Sequence, residues 1–293
     1  MGVIGLAGTA AKIVRPLADA VRSAEALAED GGQIDVLPGD PEATARVKEL
    51  LDAPSASGPD EDALAVLPVR GDTDLSQGAP ALVARRSSGG GALALVVGDP
   101  DERRDMERRL LRGHRLEMSN IAHVPTLEGP EGAEAAVSAI LPFLGDEAVA
   151  AGRRNPGLRD AVGKDLVRRA ARQSAAVGAL PMAGVDMPVI TLIQVRLVAQ
   201  LAALYGRPLG PERAIEALAV FGAGFAWRAV GRSAVGFIPV AGWAARGAVA
   251  YAATRALGEA ALARLQAGHD LIEGVPIDKA RPLFDRVAGR LGR

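Results

Sequence analysis

Apolar positions recur in two different registers along this chain, and the change from one to the other divides it. Between Pro16 and Ala28 they fall at Leu17, Val21, Ala24 and Leu27, a helical spacing with a narrow buried face. Short apolar runs then alternate with helical stretches: Ile34 to Leu37, a helix from Pro41 to Leu51, Ala63 to Leu67, Ala92 to Val97, a helix from Asp101 to Arg112, Ile121 to Val124, and a helix from Glu131 to Leu144. Strands alternating with helices predict a parallel sheet with crossover helices. From about Asn155 the pattern becomes helical throughout. One helix is expected from Gly157 to about Val177, a second and most apolar from about Met187 to Tyr205, a third from Pro211 to about Ala234, and a fourth from about Val240 to Leu265.

The fold class that follows is α/β plus all-α. A leading helix (1–30) precedes a small parallel-sheet, Rossmann-like α/β domain (31–150), an alanine- and glycine-rich helical domain of two hairpins (155–267), and a tail with a short amphipathic helix (268–293). Two strands end alike, in Gly39-Asp40-Pro41 and Gly98-Asp99-Pro100. In each the Asp is placed to cap a helix and the Pro to open it. A ligand at the strand ends is the rival reading of Gly98-Asp99, and capping accounts for it better.

The helical half contains an internal repeat. Val177-Gly178-Ala179-Leu180-Pro181-Met182-Ala183-Gly184 matches Val235-Gly236-Phe237-Ile238-Pro239-Val240-Ala241-Gly242 in register. Each copy joins two helices, and in an up-down-up-down bundle both elbows fall at the same end. Leu180, Met182, Phe237, Ile238, Pro239 and Trp243 are therefore candidates for a membrane or partner contact. The alternative is that the two elbows close on each other. On the fourth helix, Ala244, Ala248, Ala252, Ala256 and Ala260 form a stripe of small residues, which predicts close helix packing along it.

Composition narrows the picture. A net charge of −1 gives no reason to expect nucleic acid as a partner. The absence of cysteine excludes disulfides, iron–sulfur clusters and thiolate zinc sites. Of 34 basic residues only Lys12, Lys48, Lys164 and Lys279 are lysines, which fits codon bias better than a phosphate-binding stripe. The first residues lack the basic segment of a signal peptide, so a cytoplasmic location is expected, peripheral to or inserted in an inner membrane. The longest uncharged runs in the helical half, Gln173 to Val185 and Ser233 to Ala245, are short for a bilayer span, which favours a water-soluble bundle over one embedded in lipid.

Gly184-Val185-Asp186-Met187-Pro188, Gln194-Val195-Arg196-Leu197, Ala202-Ala203-Leu204-Tyr205-Gly206 and Ile238-Pro239-Val240-Ala241-Gly242-Trp243 together resemble the bacterial GTPase-associated domain of unknown function that includes YcjF-like proteins. The resemblance covers roughly residues 160–267 and implies a GTPase-linked or membrane-linked setting, with a membrane surface or a GTPase-type protein as partner. It supplies no reaction. The α/β half lacks what a GTPase needs: Lys12 has no glycine before it, and Gly163-Lys164-Asp165 follows no strand and lacks the hydroxyl that reaches Mg²⁺. If this half descends from a GTPase fold, the degenerate domain has lost the chemistry.

Other constellations are weaker. His114, His123 and His269 have no ligand-like spacing, so no metal is expected. Gly231-Arg232-Ser233-Ala234-Val235-Gly236 misses the nucleophile-elbow pattern by one residue. Asp186, Gln194 and Arg196 interrupt the most apolar helix and form a candidate polar network, with Asp186 as cap and Arg196 either paired inside or facing solvent. The expectation is a non-enzymatic scaffold or adaptor without a cofactor. An integral membrane protein of two helical hairpins and a nucleotide-binding protein with a divergent phosphate loop are the alternatives.

Overall fold

The computed structural model describes residues 3–29, 31–51, 63–180, 186–210, 213 and 242–271, with the backbone path alone for residues 3–15, 186 and 242–244. It divides into two units, residues 27–162 and residues 1–26 with 163–293. Each boundary between the units falls inside a continuous helix. The leading helix, α1, runs from Val3 to Glu29, within the expected 1–30, and extends well before the stretch from Pro16 in which its apolar spacing is legible. Its residues up to Ala26 group with the helical unit. The other boundary helix, α7 (Pro156–Gly178), begins in the α/β unit, where Leu158 and Val162 are buried and Gly157 backs directly onto the carbonyl oxygen of Leu50.

In the α/β unit four parallel strands lie in sequential order, β1 (Ile34–Val36), β2 (Leu64–Arg70), β3 (Ala92–Val97) and β4 (Ile121–Val124). Ile34 pairs with Leu64, Ala65 with Ala92, and Ala94 with Ile121. The crossovers are α2 (Pro41–Leu51), α3 (Gly78–Ser87) and α4 (Pro100–His114). Alternate residues of the central strands, Ala65, Leu67 and Val69 with Ala92, Ala94 and Val96, join Ala79 and Leu82 of α3 and Met106 and Leu110 of α4 in one core cluster. The intervening Leu64, Val66, Leu93, Leu95 and Val97 are buried as well, as strands covered on both faces must be. Packing on β3 and β4, α5 (Gly129–Leu144) buries Ala136, Ile140 and Leu144 outside that cluster.

Pro68 sits in a strand with neighbours on both sides, where a missing N–H ordinarily breaks a ladder. Here β1 stops at Val36, paired with Val66. The carbonyl of Pro68 accepts from the amide of Asp40, so that side of the strand meets a loop and no ladder bond is lost. Asp40 accepts from the amide of Ala43 at 2.8 Å and caps α2. Asp99 accepts from the amides of Asp101 and Glu102 while Glu102 reaches back to the amide of Asp99, a complete capping box on α4. These hydrogen bonds hold the Asp99 carboxyl below the usual carboxylate range.

The turn into β1 presses against α6 (Ala148–Arg154). Gly32 has φ +72°, and a Cβ there would collide with the backbone of Ala150 and Ala151. The amide of Gly32 donates to Glu147 Oε2 at 3.0 Å, and Arg153 and Arg154 donate to the carbonyls of Ala28 and Glu29 at the end of α1.

In the helical unit α7 continues alongside α8 (Asp186–Leu204) and α9 (Gly242–Gln266). The third expected helix, from Pro211, and the tail beyond residue 271 lie outside the described residues. Neighbouring side chains fix the directions. Gly163 faces Leu262 and Leu204, Gly258 faces Val167 and Leu197, and Gly178 faces Ala250 and the backbone of Arg246. Hence α7 runs antiparallel to both α8 and α9, and those two run parallel. That is the arrangement expected of the first, second and fourth members of an up-down-up-down bundle.

Candidate docking surface

The two ends of the group formed by α7, α8 and α9 differ in chemistry. At one end Arg207, just past α8, donates to Asp270 and to the carbonyl of Gly268, and Arg264 donates to the carbonyl of Asp270. Leu209 and Leu271 are buried beneath those ties. At the other end α7 finishes and α8 and α9 begin. Four of the five exposed large apolar side chains among the described residues lie there: Leu180 (47% exposed), Met187 (67%), Val189 (39%) and Val249 (56%). The fifth, Met118, stands alone in the α/β unit. Of the elbow residues singled out from sequence, Leu180 is exposed at this end. Trp243 is the second residue of α9, at the same end, but its side chain is outside the described residues, as are Met182, Phe237, Ile238 and Pro239. Met187, Val189 and Val249 were not foreseen, because an apolar helix position gives no sign of whether a neighbour covers it.

Burial along α8 follows the same polarity. From Val195 to Leu204 nearly every residue is buried, whereas none is from Met187 to Gln194. The most apolar of the expected helices is thus a core helix only in its second half.

The three residues of the candidate polar network are placed differently from one another. Gln194 Nε2 donates to Thr254 Oγ1 at 3.1 Å, and Thr254 is fully buried. Arg196, two residues on, points away and is exposed, since a 100° step per residue carries it off the face that meets α9. Asp186 opens α8, with its side chain outside the described residues. Among the described residues of this unit, a buried charge lies elsewhere, at Asp165 on α7, which accepts from Arg168 and Arg169. Burial pushes its carboxyl up, but the two guanidinium hydrogen bonds outweigh that and hold it below the ordinary carboxylate range.

The alanine stripe of α9 is not the packed face. Ala248 and Ala252 are exposed and Ala256 and Ala260 half-buried, while Gly247, Ala250, Thr254, Leu257, Gly258, Ala261 and Leu265 face inward. Close approach comes from glycines, at positions 163 and 178 of α7 and 247 and 258 of α9. His123, a candidate ligand weighed and set aside from sequence, pairs with Glu107 at 3.0 Å.

An α/β unit joined to a glycine- and alanine-packed helical unit with one apolar end is the class of protein that these features define. Residues 150–275 match a family described as a domain of unknown function, DUF697, a stretch that takes in most of α6 and all of α7, α8 and α9. No curated protein matches the chain, and no solved structure does.

Proposed function

We propose that this chain is a non-enzymatic scaffold or adaptor whose helical unit docks, elbow end first, on a membrane surface without crossing it. The observation that carries the reading is the gathering of Leu180, Met187, Val189 and Val249, all exposed, where three helices end. Exposed apolar side chains gathered at one end of a bundle are the kind of surface that marks contact sites. The sequence resemblance to GTPase-associated modules supports a GTPase-linked setting for the adaptor.

Two stretches among the described residues are long and apolar enough to cross a bilayer, Gly129–Arg154 and Met187–Leu204. The first is built into the sheet's own core through α5. The second, in α8, runs antiparallel to α7, which it meets where Leu204 faces Gly163, so a crossing would carry Lys164, Asp165, Arg168, Arg169 and Arg172 towards hydrocarbon together with Arg196. Each charge near the midplane costs on the order of 3 kcal/mol. Peripheral docking avoids that cost. Fractionation of the native protein tests the reading: association with membranes that alkaline carbonate releases is expected. Purely soluble behaviour, or retention through the carbonate wash, would overturn it.

A further inference from the structure

Charge is segregated along α7, α8 and α9, and the segregation points to the surface on which the elbow end docks. Residues 170–180, 186–197 and 242–256 carry four arginines, Arg172, Arg196, Arg246 and Arg255, against the single carboxylate Asp186. The other carboxylates of α7 and α9, Asp160, Asp165 and Glu259, lie further from the elbows along their helices. Arg172, Arg196 and Arg255 are exposed and belong to three different helices. Their levels follow from the pairs that fix the packing, Gly178 beside Ala250, Gly258 beside Val167 and Leu197, and Gln194 bonded to Thr254. Counting from those pairs places all three within about one helical turn of Thr254.

The exposed apolar side chains lie beyond that level. Leu180 follows Arg172 along α7, Met187 precedes Arg196 along α8, and Val249 precedes Arg255 along α9. At 1.5 Å per residue these separations are about 9 to 13 Å. Apolar helix surface at a bilayer interface sinks roughly 5 to 10 Å below the headgroups. A tip of that height, backed by guanidinium groups on α7, α8 and α9, reaches such a depth while leaving the arginines near headgroup level. A protein partner covering the tip has no need of a basic girdle at a constant height behind it.

We infer that the elbow end seats in the headgroup region of an anionic bilayer, with Arg172 and Arg196 meeting lipid phosphates and fixing the depth of insertion. The inference rests on the docking reading above. Arg255, held by Glu259 at 2.7 Å, completes the girdle with its charge partly answered. Arg246, exposed in the first turns of α9 among the apolar residues, keeps the tip shallow, because its stem spans only a few ångströms of snorkelling.

Co-sedimentation of the full chain with vesicles of phosphatidylcholine alone, and of phosphatidylcholine mixed with phosphatidylglycerol, tests this. A basic residue near an anionic surface is worth about 1 kcal/mol, or about fivefold in affinity, so Arg172→Gln with Arg196→Gln weakens binding to the mixed vesicles by about thirtyfold. Binding to phosphatidylcholine alone stays unchanged, as does helix content, since both arginines are exposed. The companion variant Met187→Ser with Val189→Ser lowers binding to both vesicles. Equal wild-type binding to both vesicles, lost in the serine variant, would overturn the girdle and leave the docking reading standing. A double-glutamine variant that binds mixed vesicles as the wild type does would have the same consequence. Absence of wild-type binding to either vesicle would overturn both.

Discussion

Replacing Gly258 by alanine sets two opposing effects against each other at a point where α7, α8 and α9 meet. Alanine in a helix interior is favoured over glycine by about 1 kcal/mol. The new Cβ, however, would lie 2.7 and 2.8 Å from the two methyls of Val167 and 3.0 Å from Leu197 Cδ2. Valine is stiff about χ1 and Val167 is buried, so it cannot swing aside and the helices must part. Overpacking of that kind costs about 1 to 3 kcal/mol. The net expectation is destabilisation of the helical unit by roughly 1 kcal/mol. Gly163→Ala is the matched control. Its Cβ would come within 2.7 Å of one methyl of Leu262, the far end of a flexible side chain, and its next neighbours lie at 3.5 and 3.6 Å. There the propensity gain prevails, and the variant is expected to be neutral or more stable by about 0.5 kcal/mol. Denaturant unfolding followed by far-ultraviolet circular dichroism measures both on one background, the shift in midpoint at constant slope giving the difference. If Gly258→Ala proves as stable as Gly163→Ala, the three-helix contact is looser than described and the argument for glycine-driven packing fails.

Arg196→Ala is expected to change stability by no more than about 0.5 kcal/mol, because the side chain is exposed; a large drop in melting temperature would return Arg196 to a structural network. Asp165, whose carboxyl is held below its ordinary value of 3.8, stabilises the helical unit fully above that value and loses the contribution as the pH falls through the lower, folded one. Asp165→Asn should therefore flatten the acid limb of the stability curve below about pH 4, and an unchanged acid limb would count against the pairing with Arg168 and Arg169. Asp99→Ala removes the cap of α4 and should lower the unfolding midpoint of the α/β unit while leaving vesicle binding untouched. Titration of the purified chain with GTP and Mg²⁺ is expected to show no micromolar binding, and a saturable isotherm would revive a divergent phosphate loop.

Where local chemistry decides structure, the sequence was readable. Gly-Asp-Pro announced both capped helices because cap and proline act within one turn. The central strands β2 and β3 were visible as apolar runs because they are buried on both faces. By contrast α3 went unread: it starts at Gly78-Ala79-Pro80, has no side-chain cap and buries only Gly78, Ala79 and Leu82, so its periodicity is faint. The regrouping of α1 with residues 163–293 was also out of reach, because hydrophobic spacing gives a face but never its partner. Alanine was the most misleading residue. It is small enough for a packed interface and a good enough helix former for an exposed one, so the stripe from Ala244 to Ala260 fits either, and only the placement of Gly247 and Gly258 distinguishes them.

The α/β unit bears on the proposed function through its topology. In open α/β sheets a ligand crevice opens where the strand order reverses, since connections on either side of that point leave to opposite faces. The order β1, β2, β3, β4 runs one way without reversal. The carboxyl edge of these strands is also chemically occupied. Asp40 and Asp99 cap helices, and Arg109 donates to the carbonyls of Gly71 and Thr73 at 3.0 and 2.8 Å. Thr73 folds back on Arg70, and Asp74 is engaged by the amide and hydroxyl of Ser76, which hold its carboxyl below the usual range. Groups spent on loop geometry in this way are poorly placed to exchange partners for a phosphate or a base, because each would leave an amide or carbonyl unsatisfied. That cost supports reading this unit as the fixed base of an adaptor, with the changeable contacts assigned to the uncovered end of the helices.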